Sequence, residues 1–469
     1  MIPAKLGNLE AILNPDTVAI VGASRNPGKL GYHVMKSLTK GGFKGEIFPI
    51  NPRETELFGF GAYPSVLEVA QKIDLAIVVL PAQMVPDIFK QCAEKGVRGV
   101  ILITAGFKEI EDEYGGQLQD EITELANEAG IKVIGPNTFG VINLQAGLNA
   151  SFTPEFSDVK GGRISLVSQS GGMAHLIAFM ALEEHVRFSK IIGVGNRCNV
   201  DFADLLEYLV QDQGTQVIAM YMEGIDNPRR LMEVAQGARG KKPIIIYKVG
   251  RSHISDEASR FHTGSLAGQY EIYHGAFKQV GILAVNSSEE LLDTAKILVS
   301  CPLPRGDKVA VLSGQAGPGM AACDVCEEKG LALAAFSEET RRRIERALPP
   351  LAIRTNPVDM GPAWYSPESI REVVDSVLGD ENVHAIVLCI AYASANSGAV
   401  ESLADLLKDW GRKKPIVCCL SSPREIWDGE IRSLEEEGVP NYRTPERAAR
   451  ALGNLWRYQK LATRGLDHE

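Results

Sequence analysis

One plan occurs three times in this chain: a short apolar run, a loop of small residues, then a helix-length polar–apolar segment. The copies open at residues 17–24 (TVAIVGAS), 162–172 (GRISLVSQSGG) and 308–319 (KVAVLSGQAGPG). Two further apolar runs follow each copy: 74–81 and 99–106, then 216–222 and 243–249, then 384–391 and 415–420. Strands this continuously apolar leave no face for water, so helices must cover both sides, and strands separated by helices pair in parallel. The expected fold is α/β, with three doubly wound domains. A length of 469 residues fits three domains of roughly 100–200 each. The expected divisions are residues 1–148, then 149–300 entered through a turn-rich link at 149–160, then 301–469 after the linker Cys301-Pro302-Leu303-Pro304-Arg305-Gly306. Residues 448–458 read as a helix that packs on the third domain.

The net charge of −10, with no dense basic block to offset it, argues against nucleic-acid binding. Arg341-Arg342-Arg343 reads as a solvated helix face. No apolar run reaches the roughly 18 residues of a membrane span, and the amino terminus shows no charged-then-apolar leader, so a cytoplasmic protein is expected. The eight cysteines do not form a disulfide framework pattern. Cys323 and Cys326 have metal or redox spacing, but no second pair lies near them, and a structural role is expected. No metal site is expected.

The chemistry is expected in the loops. Val21-Gly22-Ala23-Ser24-Arg25-Asn26-Pro27-Gly28-Lys29-Leu30-Gly31 closes a strand and opens a helix, so its glycines let backbone approach a phosphate while Arg25 and Lys29 add charge. The second strand ends Ile50-Asn51-Pro52, without the carboxylate that grips the ribose of NAD, which disfavours a dinucleotide oxidoreductase. A nucleotide with a phosphorylated ribose and a pyrophosphate, such as coenzyme A, suits the loop better. Ser168-Gln169-Ser170-Gly171-Gly172 and Ser313-Gly314-Gln315-Ala316-Gly317-Pro318-Gly319 each make an anion-type turn at a helix start. His262, in Phe261-His262-Thr263-Gly264-Ser265, is the candidate nucleophile, because an imidazole with a pKa of about 6.5 is mostly neutral near pH 7. His175, His253 and His274 compete for that role, His175 most strongly because it follows the 168–172 turn. Glu223, at the end of the run 217–222, is the candidate carboxylate to orient the ring.

Taken together, these residues resemble the α subunit of ADP-forming acyl-CoA synthetases, within the succinyl-CoA synthetase superfamily. Residues 18–31, 48–52, 104–108 and Gly135-Pro136-Asn137 resemble its CoA-binding domain. Residues 168–172, Gly195-Asn196 with Asp201 and Asp204, 221–224 and 262–268 resemble the central domain, and 313–320 with Thr355-Asn356-Pro357-Val358-Asp359 resemble the third. The resemblance implies a Rossmann-like first domain and two flavodoxin-like domains. It implies CoA or acyl-CoA held by Gly22, Ser24, Arg25, Lys29, Asn51, Pro52, Gly106, Phe107 and Asn137. It implies a phosphoryl group steadied by Ser168, Gln169, Ser170, Gly171 and Gly172, and by Gly314, Gln315, Ala316 and Gly317. It also implies His262 and Glu223 as the catalytic pair, and ADP or ATP with Mg2+ on a separate ATP-grasp β subunit in an α2β2 assembly acting on a small carboxylic acid. Thr138 departs from the pattern, standing where cysteine is frequent. The alternative reading is a CoA-binding regulatory protein of the same fold, without catalysis.

Overall fold

The apolar runs become parallel strands because alternate residues feed two different cores. In the strand Thr17–Val21, Val18 and Ile20 face one cluster of buried side chains while Ala19 and Val21 face another. The same alternation continues across the neighbouring strands, with Leu75 and Ile77 on one side and Ala76 and Val78 on the other. In the computed structural model, which describes residues 4–110, 113–252, 254–255, 270–363 and 365–463, these strands form three main sheets.

The first sheet has five parallel strands in the order Glu46–Ile50, Thr17–Val21, Leu75–Val78, Gly99–Leu102, Lys132–Ile134. Its order reverses around Thr17–Val21, so the crevice at a topological switch point opens beside Gly22, where ligands of open α/β sheets bind. The second sheet has seven strands: Leu283–Val285, Ile244–Lys248, Val217–Met222, Gly161–Ser168 and Phe188–Gly193, then the antiparallel pair Gly140–Asn143 and Leu148–Ser151 at its edge. Here Ser168 pairs with Gly193 on one side and Tyr221 on the other, which puts a second switch point at Ser168. The third sheet runs Ala332–Leu333, Lys308–Ser313, Ala385–Ala391, Ile416–Ser421, with Val358–Asp359 also pairing to Lys308–Ser313. Ser313 ends its central strand.

Two boundaries differ from the sequence reading. The division at 148 falls within the edge hairpin, so residues 140–151 belong to the second sheet rather than to the first domain or a link. The chain divides into two compact units at Ser288/Glu289, with the first two sheets in one and the third sheet in the other. The Ser288–Ser300 helix opens the second unit because its polar side chains are buried against the Pro445–Thr463 helix of that unit. Arg447 grips Asp293 with two bonds of 2.9 and 2.7 Å, and Asn454 Nδ2 donates to Glu290 and Thr294 at 3.0 and 2.9 Å. Replacing Arg447 by Met strands a buried carboxylate without its principal counter-ion. The expected loss is about 3–5 kcal/mol, read as a lowered denaturation midpoint.

Candidate functional site

At the first switch point two glycines make the loop feasible. Gly22 has φ +98° and donates its N–H to Ile50 O at 3.1 Å. Gly31, in the helix Leu30–Gly41, packs so closely that a Cβ there would lie 2.0 Å from Gly22 O. Ser24 is buried and its Oγ accepts from Asn26 N at 3.1 Å, while Asn26 Oδ1 accepts from Gly28 N at 2.8 Å. Asn51 braces the loop, donating through Nδ2 to Ala23 O at 2.8 Å. Lys29 stands at the N-cap in extended conformation and no side chain caps the helix. Arg25 is exposed and paired with Glu54, and Pro52 is exposed on the surface.

Three loops are laced together at the far edge of the first sheet. Asn137, with φ +58°, donates its N–H to Thr104 O at 2.9 Å, and Asn196 N donates to Pro136 O at 2.9 Å. The N–H groups of Gly106 and Phe107 converge on the Glu109 carboxylate, and the Phe107 ring is fully buried. These two residues therefore shape the loop around Glu109. Thr138 is also internal: its hydroxyl donates to Gly193 O at 2.7 Å and accepts from Gly140 N at 3.1 Å.

The second switch point assembles the central candidates. Ser170 caps the helix Gly171–Glu183 through Oγ, accepting from Met173 N at 3.3 Å, and Ser168 Oγ donates to Ser170 O at 2.7 Å. Gly172, the second residue of the helix, is exposed. Gln169 Oε1 accepts from the backbone N–H groups of Glu223 and Gly224 at 2.9 and 3.1 Å, which pins Glu223 against this helix end. Glu223 is buried. Burial, reinforced by that carboxylate, pushes the Tyr221 phenol well above its ordinary value, so its hydroxyl stays protonated. Gln169 Nε2 is buried with no hydrogen-bond partner among the described residues. An unpaired buried donor costs about 1–3 kcal/mol, and an anion oxygen arriving at this edge would relieve it.

The rival histidines separate. His175 Nδ1 lies 2.7 Å from Gly171 O, and its Nε2 lies 2.8 Å from Thr153 Oγ1. A carbonyl only accepts, so Nδ1 carries a proton, and Nε2 is taken up by the Thr153 hydroxyl. Phe139, Phe152, Phe156 and Phe179 surround the ring at centroid distances of 4.7–6.1 Å. His175 is thus a packing residue. His274 stands on the exposed side of the Tyr270–Val280 helix. His253 and His262 lie outside the described residues.

At the third switch point Gly314 N donates to Cys389 O at 2.8 Å. Gln315 precedes the helix Ala316–Glu328 but pairs completely with Ala391, Nε2 donating to its O at 3.1 Å and Oε1 accepting from its N at 3.2 Å. Gly317 is open, since a Cβ there would meet nothing. Asn356 is a brace, accepting from Val311 N and donating to Val309 O and Ala334 O at 3.0, 2.8 and 3.0 Å. Cys326 is buried in the same helix, and burial pushes its thiol up to about 12, far from a reactive thiolate.

Three family models match the chain in order: a CoA binding domain over residues 16–143, a succinyl-CoA ligase like flavodoxin domain over 161–298, and a ligase-CoA domain over 309–465. The α subunit of acetate–CoA ligase (ADP-forming) I from Pyrococcus furiosus is 38% identical over 461 residues, covering 97% of this chain and 98% of that one. The chain belongs to the ADP-forming acetate–CoA ligase α-subunit family. Another relative in this family, acetate–CoA ligase (ADP-forming) I of Archaeoglobus fulgidus, is 38% identical across 97% of this chain, which spans 64% of the relative's length. Among solved structures, the dinucleotide-forming acetyl-coenzyme A synthetase 1 of Ca. Korarchaeum cryptofilum, in complex with phosphate and ADP, superposes with a TM-score of 0.90 at 33% identity, covering 98% of both chains. Membership sets aside the oxidoreductase reading, and the α/β expectation of a CoA-binding domain with succinyl-CoA-ligase-type domains holds. Glu109 escaped the sequence reading, since an acidic residue in a polar loop carries no local sign that it will gather backbone amides.

Proposed function

We propose that this chain is the α subunit of an NDP-forming acyl-CoA synthetase, interconverting acyl-CoA, phosphate and ADP with a small carboxylic acid, CoA and ATP. Phosphate oxygen attacks the thioester carbonyl, the C–S bond breaks, and the departing sulfur takes a proton as CoA leaves. A ring nitrogen of His262 then attacks phosphorus, the bond to the acyl oxygen breaks, and the carboxylate departs. ADP takes the phosphoryl group from the histidine. Phosphoryl transfer depends on placement and on donors aimed at the moving charge more than on covalent chemistry from the protein. The observation that carries the reading is the Ser168 edge, where a helix start, the idle Gln169 amide and the pinned Glu223 carboxylate meet.

The nucleotide, with Mg2+, is assigned to an ATP-grasp β subunit in an α2β2 assembly. The subunit name of the Pyrococcus relative supports a partner, and the Archaeoglobus relative, in which this chain spans 64% of the length, supports a further module. CoA is assigned to the Gly22–Gly31 loop with Arg25, Lys29, Asn51 and Asn137. A cytoplasmic location fits a CoA- and nucleotide-using enzyme, and no described helix is long and apolar enough to cross a membrane.

The test is to incubate the chain with acetyl-CoA and labelled phosphate. A label on protein that is lost in acid and retained in base, and that passes to ADP when the partner is added, is the expected result. No label, with CoA still bound, would leave the regulatory alternative standing.

A further inference from the structure

The structure assigns to Glu109 the positioning of a hydrogen-bond chain that makes Asn137 present an acceptor, its Oδ1, to the thiol of CoA; the inference rests on the CoA reading above. Glu109 belongs to none of the residues expected to hold cofactor or phosphate. Its carboxylate takes the Gly106 and Phe107 N–H groups on one side and Asn196 Nδ2 on the other. An ionised carboxylate can only accept. The Asn196 amide must therefore turn its NH2 toward Glu109, and a second acceptor, Gln119 Oε1 at 3.1 Å, holds the same orientation. Asn196 Oδ1 is then left facing Asn137, whose Nδ2 donates to it at 3.4 Å. One N–H of the Asn137 NH2 is given to Asn196, which fixes the orientation of the amide and turns its carbonyl oxygen the other way; half-buried Asn137 thus directs Oδ1 away from Asn196, and no described residue donates to that oxygen.

The place of Asn137 makes the thiol end of CoA the matching ligand. It follows the last strand of the first sheet, three strands from Gly22, so about 14 Å away across the carboxyl edge at ~4.8 Å per strand. That is the span of a pantetheine arm whose nucleotide end sits on the Gly22 loop. The same turn is tied to the Val194–Asn196 loop, which leaves the strand paired beside Ser168. The thiol would thus arrive next to the edge proposed for phosphate. An acceptor there favours S–H over the thiolate, and so favours CoA after the proton has returned to sulfur. A carboxylate or phosphoryl oxygen would need a donor instead.

The test is calorimetric titration of the full chain with CoA and with desulfo-CoA, which lacks only the thiol. Asn137→Ala is expected to weaken CoA by about 3- to 10-fold and to leave desulfo-CoA unchanged. Glu109→Gln, which brings an NH2 against the Asn196 NH2 and flips the chain, is expected to reproduce that selective loss. Adding Asn196→Asp to Glu109→Gln restores the donor–acceptor order and is expected to restore CoA affinity, a rescue that a merely structural role would not produce. Equal loss for both ligands in Asn137→Ala, no loss for either, or absence of rescue in a folded double variant would each overturn the inference. Arg25→Ala gives the separate control: if it leaves CoA binding untouched, the CoA reading itself fails.

Discussion

His262→Ala is expected to bind CoA normally and to transfer no phosphoryl group to ADP, with overall turnover falling by at least about 10⁴-fold. Removing a covalent nucleophile costs the whole covalent route, and losses of that order or more follow such deletions in other enzymes. The matched control is His175→Ala. That ring sits between Gly171 O and the Thr153 hydroxyl inside a cage of four phenylalanines, so its loss opens a cavity and frees two polar groups. A stability loss of about 2–4 kcal/mol is expected there, with the protein-bound label retained below the new melting temperature. Retention of the label in His262→Ala and its disappearance in a folded His175→Ala would reverse the assignment.

Gly31→Ala should nearly abolish CoA binding although the added methyl touches no ligand. Its Cβ would lie 2.0 Å from Gly22 O, and Gly22 is itself held at φ +98° with its N–H on Ile50 O. The helix must therefore move away from the loop, carrying the Lys29 cap with it. We expect CoA affinity to fall by about 100-fold and stability by about 1–3 kcal/mol. Gly28→Ala is the comparison, since its Cβ would approach only Asn26 Oδ1, at 3.3 Å. A change of less than a few-fold in titrations of that variant, beside a large one at Gly31, would locate the effect in the close approach of helix and loop. Equal behaviour of the two would refute it.

The repeating plan was legible because strands buried on both faces must be apolar at every position, and such runs stand out. Runs such as 75–78 and 217–222 leave little room for another reading. The edge hairpin was not legible, because polar residues are buried among its apolar ones. Asn143, Asn149 and Ser151 are almost wholly enclosed, and they are tolerated because each finds partners, as Ser151 Oγ does on Asn149 Oδ1 at 2.6 Å. The Ser288–Ser300 helix hides its packing for a related reason: Glu290, Asp293 and Lys296 are residue types of a wet face, yet they are buried against opposite charges and amides more than a hundred residues away. At the candidate site, the glycine turns and Glu223 could be placed from local order. The packing of His175 needed four aromatic side chains from three segments of the chain, and the bonds gathered by Glu109 needed two loops far apart in sequence.

Gln169 and Gln315 occupy equivalent corners of two look-alike sheets, yet they have diverged in what they leave over. The later one knits both halves of its amide into a neighbouring main chain, as a mortise takes a tenon. The earlier one keeps a hydrogen idle. Duplicated architecture thus yields one corner whose amide is tied at both ends and one whose nitrogen meets no partner among the described residues, so swapping the two segments would exchange a fastener for an open donor.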